Sequence, residues 1–109
     1  MNYNIVVHDN FKRELKPFIK KYPSIKSDLE DLINNISTEL SNADDLGNGF
    51  KKIRLNIKSK GKGKSGGARI ISFETVISID ETTVLFGSIY NKTDFTSINL
   101  DVLKKNLGV

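Results

Sequence analysis

The period of the hydrophobic pattern changes once along this chain, and the change separates a helical first part from a β-rich second part. Apolar residues recur at the spacing of one helical face from Phe11 to Tyr22 and again from Ile25 to Leu40. After residue 50, apolar and polar residues alternate as they do in half-buried strands. We therefore expect an α+β fold: two N-terminal helices on one face of a twisted, mainly antiparallel sheet of about four strands, and a short C-terminal helix.

The helical part has recognisable boundaries. A short strand over Tyr3–Val7 precedes the first helix, which Asp9 or Asn10 is expected to cap. Pro17 should kink or restart that helix, because its ring removes a hydrogen bond and crowds the preceding turn. Ser24 is expected to cap a second, continuous helix that extends to Leu40.

Turn-forming residues separate the elements of the second part. A turn over Asn42–Gly49 leads into three predicted strands, of which the last two form a hairpin: Lys51–Ile57, Arg69–Ile79 and Thr82–Tyr90. The C-terminal helix carries its apolar residues at Leu100, Leu103 and Leu107. Asn99 should cap this helix and Gly108 should end it.

Length and composition limit the possible classes of protein. The 109 residues predict one domain over 1–109, and the absence of cysteine excludes disulfide frameworks, thiolate zinc sites and a cysteine nucleophile. No apolar run is long enough to span a bilayer, and the first residues show no secretory pattern. We expect a cytoplasmic protein without a membrane partner. The single histidine, His8, excludes two-histidine mechanisms and is interpreted as structural.

Positive charge is concentrated in the middle of the chain. Residues 51–69 contain no acid and eight basic residues: Lys51, Lys52, Arg54, Lys58, Lys60, Lys62, Lys64 and Arg69. The rest of the chain carries nine basic residues and thirteen acids, so its net charge is −4. Glycines interleave with the lysines of the loop and leave backbone N–H groups open to a phosphate. A polyanion is the partner that this pattern predicts, and nucleic acid is the commonest one.

Several catalytic chemistries do not fit the sequence. The triplet Gly63–Ser65 lacks the glycine five positions earlier that a nucleotide-binding P-loop needs, since Lys58 stands there. Asp28 and Asp31 are interpreted as solvent charges and helix-end partners, so no metal or cofactor site is predicted. A cation-rich, acid-poor surface suits attack of an RNA 2′-hydroxyl on its neighbouring phosphate, because the nucleophile is already tethered. Tyr90 is a candidate for proton transfer.

Four segments carry a family resemblance: Phe11–Lys16, Lys20–Ile25, Lys52–Leu55 and Lys58–Arg69. Together they resemble the RelE/ParE superfamily of bacterial toxins, and the lysine-glycine loop that runs into Arg69 is similar to the HigB-like branch. The resemblance implies a RelE-like fold and a ribosome-dependent endoribonuclease that cuts mRNA in the ribosomal A site, next to 16S rRNA, without a cofactor. It also implies a cognate antitoxin, expected to be a small helix-turn-helix protein.

The resemblance assigns roles to particular residues. It places Lys52 and Arg54 near the scissile phosphate, gives phosphate stabilisation to Arg69, and matches Lys92 to a basic residue after the last strand. The tyrosine that some relatives carry shortly afterwards is missing, because Ile98 lies near that position. Two alternatives are open: Tyr90 replaces it, or this branch relies on its lysines alone. The remaining basic residues are predicted to bind RNA: Lys51, Lys58, Lys60, Lys62 and Lys64.

Three questions stay open at this point. Strict alternation places Arg69 on the same face as core-like Ile71 and Phe73, so its side is undecided. A ParE-like toxin that inhibits DNA gyrase without cutting RNA is the first alternative function. The second is an RNA-binding or ribosome-binding module without catalysis.

Overall fold

A five-stranded mixed sheet forms the centre of the fold. The computed structural model describes residues 2–93 and 99–109. Its elements are β1 (Asn2–Val7), α1 (Asp9–Lys21), α2 (Ile25–Asn34), α3 (Ile36–Asn42), β2 (Asp44–Gly47), β3 (Phe50–Leu55), a 3₁₀ turn (Lys58–Lys60), α4 (Gly63–Gly66), β4 (Ala68–Ser78), β5 (Glu81–Asn91) and α5 (Leu100–Leu107). The strand order is β1-β5-β4-β3-β2. β1 pairs with β5 in parallel, and the other neighbours are antiparallel. The α+β class is confirmed.

The prediction of about four strands was wrong, because the supposed turn contains an edge strand. Asp44–Gly47 pairs with β3 through an irregular register, and Asn48 and Gly49 close the hairpin with positive φ angles of 54° and 87°. An edge strand needs only one partner, and three of the four residues of β2 are exposed, so polar residues that usually signal a turn are compatible with it. β3 itself ends at Leu55, two residues earlier than expected.

The helical region also differs from its prediction. Asn35, at φ −112° and ψ 26°, interrupts the expected second helix and separates α2 from α3, although the apolar stripe continues in phase. Pro17 lies inside one continuous helix, so of the two expected outcomes, a kink or a restart, the restart does not occur. His8, rather than Asp9 or Asn10, caps α1 by accepting a hydrogen bond from the Asn10 backbone N–H at 3.0 Å. Ser24 makes no cap bond.

Two hydrophobic clusters lie on opposite faces of the sheet. The larger cluster joins α1, α2 and α3 to one face, where Ile53, Ile70 and Ile89 are buried. The smaller cluster lies under α5 and contains Phe50, Ile71, Tyr90, Leu103 and Leu107. The predicted cap of α5 by Asn99 and its end at Gly108 are confirmed. The basic residues of β3 therefore lie on both sides of the sheet: Lys52 and Arg54 on the side of α5, and Lys51 on the other.

Candidate nucleic-acid interface

Three predicted site residues form one row across the sheet. Arg54 is the register partner of Arg69, and Arg69 is the partner of Tyr90. Directly opposed residues of antiparallel strands project to the same side. Lys52 is two residues before Arg54 and shares that side, which is the side covered in part by α5. The sheet therefore brings Lys52, Arg54, Arg69 and Tyr90 together. The sequence pattern alone could not show this proximity.

Arg69 is buried and bonded to the lysine-glycine loop. Only 4% of its surface is exposed. Its Nη1 donates to the carbonyl oxygens of Lys64 at 2.8 Å and Ala68 at 3.1 Å, and its Nη2 donates to that of Ser65 at 3.1 Å. Burial lowers the pKa of Arg69, and the nearby Arg54 guanidinium lowers it further. Arg69 thus projects to the same side of the sheet as Ile71 and Tyr90, which answers the open question. Its guanidinium holds the loop through the loop's backbone carbonyls.

Tyr90 lies at the inner end of the row. Its hydroxyl oxygen is buried, and 5% of the residue is exposed. Burial raises the pKa of Tyr90, and the positive charge of Arg69 opposes the rise. The phenol therefore stays protonated at neutral pH, which makes it a hydrogen-bond donor and excludes the phenolate as a resident base.

The accessible end of the row carries a carboxylate that the sequence analysis missed. Asp44 Oδ2 is 3.8 Å from Lys52 Nζ and 4.0 Å from Arg54 Nη2. The side chain of Arg54 is 56% exposed and that of Asp44 is 48% exposed. Asp44 faces Lys52 because the two residues are register partners on β2 and β3. Finding it from the sequence would have required recognising β2 within the supposed turn.

The loop lysines predicted to bind RNA have several different partners. Lys58 Nζ is 2.9 Å from Asp31 Oδ2, and Lys64 Nζ is 2.7 Å from Glu39 Oε1. Lys60 Nζ donates to Asn91 Oδ1 at 2.6 Å. The hydrogen bond and charge of Asp31 raise the pKa of Lys58.

Two further lysines complete the predicted RNA-binding set. Lys62 is exposed at the tip of the loop between Gly61 and Gly63. Lys51 projects to the opposite side from Lys52 and pairs with Glu74 at 3.1 Å, so the fold separates it from the row.

Asp28 fixes the start of the loop. The interpretation of Asp28 as a solvent charge was wrong, since only 3% of it is exposed. Its Oδ2 accepts hydrogen bonds from Ser24 Oγ at 2.7 Å and from the Lys58 backbone N–H at 3.2 Å. Ser24 Oγ also accepts one from the Ser59 backbone N–H at 2.8 Å. A buried acid and a serine of the α2 region thus hold one end of the loop, and Arg69 holds the other.

Lys92 follows β5 close to the start of β4. Its backbone N–H donates to the carbonyl oxygen of Gly67 at 3.1 Å, and its side chain is partly exposed. Lys92 therefore lies just past the end of β5, beside the last residues of the lysine-glycine loop. Ile98, at the position expected for a tyrosine, lies outside the described residues.

Two adjoining clefts lie beside the basic residues Arg54, Lys58 and Lys64. The larger, about 310 Å³, lies between the helices α2 and α3 and the loop, with Asp31, Glu39, Lys58 and Lys64 among its lining residues. The smaller, about 200 Å³, is lined in part by Arg54, and it shares Glu39 and Lys64 with the larger. The Lys64–Glu39 ion pair therefore belongs to both clefts.

The described residues, 2–93 and 99–109, contain neither a clustered metal site nor a helix that could span a membrane. Within that part of the chain, no three histidine, cysteine, aspartate or glutamate side chains converge as ligands for a metal ion. None of the helices described combines the length and the hydropathy that crossing a membrane requires.

Comparisons of the chain with protein-family models, with curated proteins and with solved structures find no match.

Proposed function

We propose that this chain is an RNA-cleaving toxin of the RelE/ParE kind, with a RelE-like fold. Its substrate is mRNA in the ribosomal A site, and its partners are 16S rRNA and a cognate helix-turn-helix antitoxin. The observation that carries the proposal is the row of Arg54, Arg69 and Tyr90, with Lys52 and Asp44 at its accessible end. The helices α1 to α3 on one sheet face and the short helix α5 on the other support the proposed fold.

The proposed reaction is an internal transfer of the phosphoryl group. The 2′-oxygen forms a bond to the adjacent phosphorus while the bond from phosphorus to the 5′-oxygen breaks. A proton leaves the 2′-hydroxyl, and the departing 5′-oxygen gains one, so the products are a 2′,3′-cyclic phosphate and a 5′-hydroxyl. Because the nucleophile is tethered, the protein must mainly align it and offset the charge that grows on the phosphoryl oxygens.

Exposure divides the row into residues that touch RNA and residues that support them. Arg54 and Lys52 are accessible, and we assign to them the contacts with the phosphoryl oxygens. Asp44 lies between them and is the proton acceptor for the 2′-hydroxyl, since a carboxylate is the only one of the three groups that accepts a proton without first losing one.

Buried members of the row act through their neighbours. Arg69 donates two hydrogen bonds to backbone carbonyls of the loop and one to that of Ala68, so we assign it a positioning role together with its contribution to the positive field. Tyr90 lies next to Arg69 at the buried end of the row, where it is a protonated phenol. Lys92 and Lys62 extend the positive surface along which the RNA backbone runs.

The variant Asp44→Asn tests the proposal, and Asp45→Asn is its matched control. Asp45 is the next residue on β2, and its Oδ1 accepts from the Gly47 N–H, which an asparagine oxygen can also do. With translating ribosomes, we expect Asp44→Asn to cut mRNA about 10²- to 10⁴-fold more slowly, because a proton acceptor is lost. Asp45→Asn should cut at the wild-type rate.

The chemistry of the ends provides a second readout. Primer extension locates the cuts, and mass spectrometry should find cyclic phosphates and 5′-hydroxyls there. Products with 5′-phosphates, or equal rates for the two variants, would contradict the assignment. Intact mRNA together with inhibited DNA gyrase would instead support the ParE-like alternative.

A further inference from the structure

Two lysines of the lysine-glycine loop form ion pairs with carboxylates of the same chain. Asp31 of α2 is paired with Lys58, and Glu39 of α3 is paired with Lys64. We propose that Asp31 and Glu39 compete with RNA for these two lysines and so determine which polyanions the loop accepts, an inference that rests on the RNA-binding function proposed above. A polyanion must displace both carboxylates before it engages Lys58 and Lys64.

The geometry of the pairs matches that of a lysine–phosphate contact. Distances of 2.9 Å for Lys58–Asp31 and 2.7 Å for Lys64–Glu39 are typical of charge-assisted hydrogen bonds. Each carboxylate oxygen thus occupies the place that a phosphate oxygen would take. The Asp31 side chain is 58% exposed, whereas that of Glu39 is 11% exposed, so Glu39 is less screened by solvent.

Displacement would also change the shape of the surface. The Lys64–Glu39 pair lines both the 310 Å³ cleft that contains Lys58 and the 200 Å³ cleft that contains Arg54. A polyanion that separates Lys64 from Glu39 would make one groove out of the two clefts. Lys58, Lys64 and Arg54 would then follow one another along that groove at its basic side.

The competition is weak enough for RNA to overcome. Both lysines are more than half exposed, and ion pairs with an exposed partner contribute little to free energy, so each carboxylate should reduce polyanion affinity by about twofold to fivefold. A ligand with few phosphates gains too little from displacing them, whereas a longer RNA that also contacts Arg54 and Lys62 gains more. The carboxylates therefore favour extended polyanions over isolated phosphates.

Binding of the purified protein to a short fluorescent oligouridylate and to immobilised heparin tests the proposal without ribosomes. We expect Asp31→Asn and Glu39→Gln each to bind about twofold to fivefold more tightly and to elute from heparin at higher salt. The salt slope for the RNA should steepen by up to about 0.7 for each lysine released. Glu30→Gln is the control, because Glu30 is an exposed acid of the same helix that makes no ion pair within the described residues.

A double substitution distinguishes the loss of the Asp31–Lys58 ion pair from the general effect of removing one negative charge. In a Lys58→Gln background, Asp31→Asn should no longer change the affinity, because the lysine for which it competes is gone. If Asp31→Asn and Glu30→Gln shift both probes equally, or if the Asp31→Asn effect survives in that background, the proposal is overturned. Failure of ribosome-dependent cleavage would contradict the proposed function and leave these binding results unaffected.

Discussion

Arg54 and Arg69 lie directly opposite each other on β3 and β4, so two guanidinium-bearing side chains share one rung of the sheet. Like charges in this arrangement are destabilising. Each arginine is compensated separately: Arg54 is 4.0 Å from Asp44, and Arg69 donates to three backbone carbonyls. The rung keeps a surplus of positive charge, which a bound phosphate would offset.

The first prediction concerns the accessible member of this rung. Arg54→Ala should reduce RNA cleavage by about 10²- to 10³-fold, because one donor to the developing phosphoryl charge is lost. The midpoint of urea unfolding should stay the same or rise, since the repulsion with Arg69 disappears. Lys26→Ala, an exposed residue of α2, is the control for loss of one charge. Undiminished cleavage by Arg54→Ala would remove this residue from the mechanism.

The second prediction concerns the pH dependence of folding. Burial raises the pKa of Tyr90 above its ordinary value of 10.0, so the folded state binds the phenolic proton more tightly than the unfolded state. The free energy of unfolding should therefore be fully maintained below pH 10 and fall as the pH rises through the folded pKa. Urea titrations of wild type and Tyr90→Phe across this range measure the difference. Parallel curves would show that Tyr90 does not contribute to the loss.

The third prediction concerns the close approach of the loop to β3. A Cβ on Gly67 would clash with the backbone carbonyl oxygen of Leu55, which cannot move without disturbing the strand. Gly67→Ala should lower the free energy of unfolding by about 3 kcal/mol or more. Gly61→Ala is the comparison, since its Cβ would meet open space and only its φ of 70° opposes the change, at a cost of about 1 kcal/mol. Equal losses for the two variants would contradict the close packing.

The fourth prediction concerns the anchor of the loop. Asp28→Ala removes the acceptor of the Lys58 backbone N–H, so the free energy of unfolding should fall by about 1–3 kcal/mol. Trypsin should then cut first after Lys58 or Lys60. Asp31→Ala removes only the side-chain partner of Lys58 and should leave the digestion pattern unchanged. An Asp28→Ala protein that resists trypsin as wild type does would show that Asp28 does not hold the loop.

Local pattern predicted more of the fold than of the interface. Alternation along Lys52–Leu55 was enough to place Arg54 on the exposed side of a half-buried strand, and the capping residue Asn99 was recognisable from its position. The row with Arg69 and Tyr90 depends on strand register, which the loop between β3 and β4 and the hairpin between β4 and β5 set jointly.

Tertiary contacts explain the residues that were misread. Asp28 looked like an exposed helical acid because nothing nearby in the sequence shows that Lys58 and Ser59 fold back onto α2. The ion pairs of Asp31 and Glu39 join positions 25 to 27 residues apart. Asp44 was missed because its strand consists of residues that ordinarily form turns.

The parallel pairing of β1 with β5 has a consequence for how the protein is made. Asn2 pairs with Glu81 and Val7 with Phe86, so β1 has no strand partner until β5 has been synthesised. Such distant pairing slows folding, because the chain must close a long loop first. A nascent polypeptide interrupted before residue 81 would lack β5, so β1 would have no strand with which to pair.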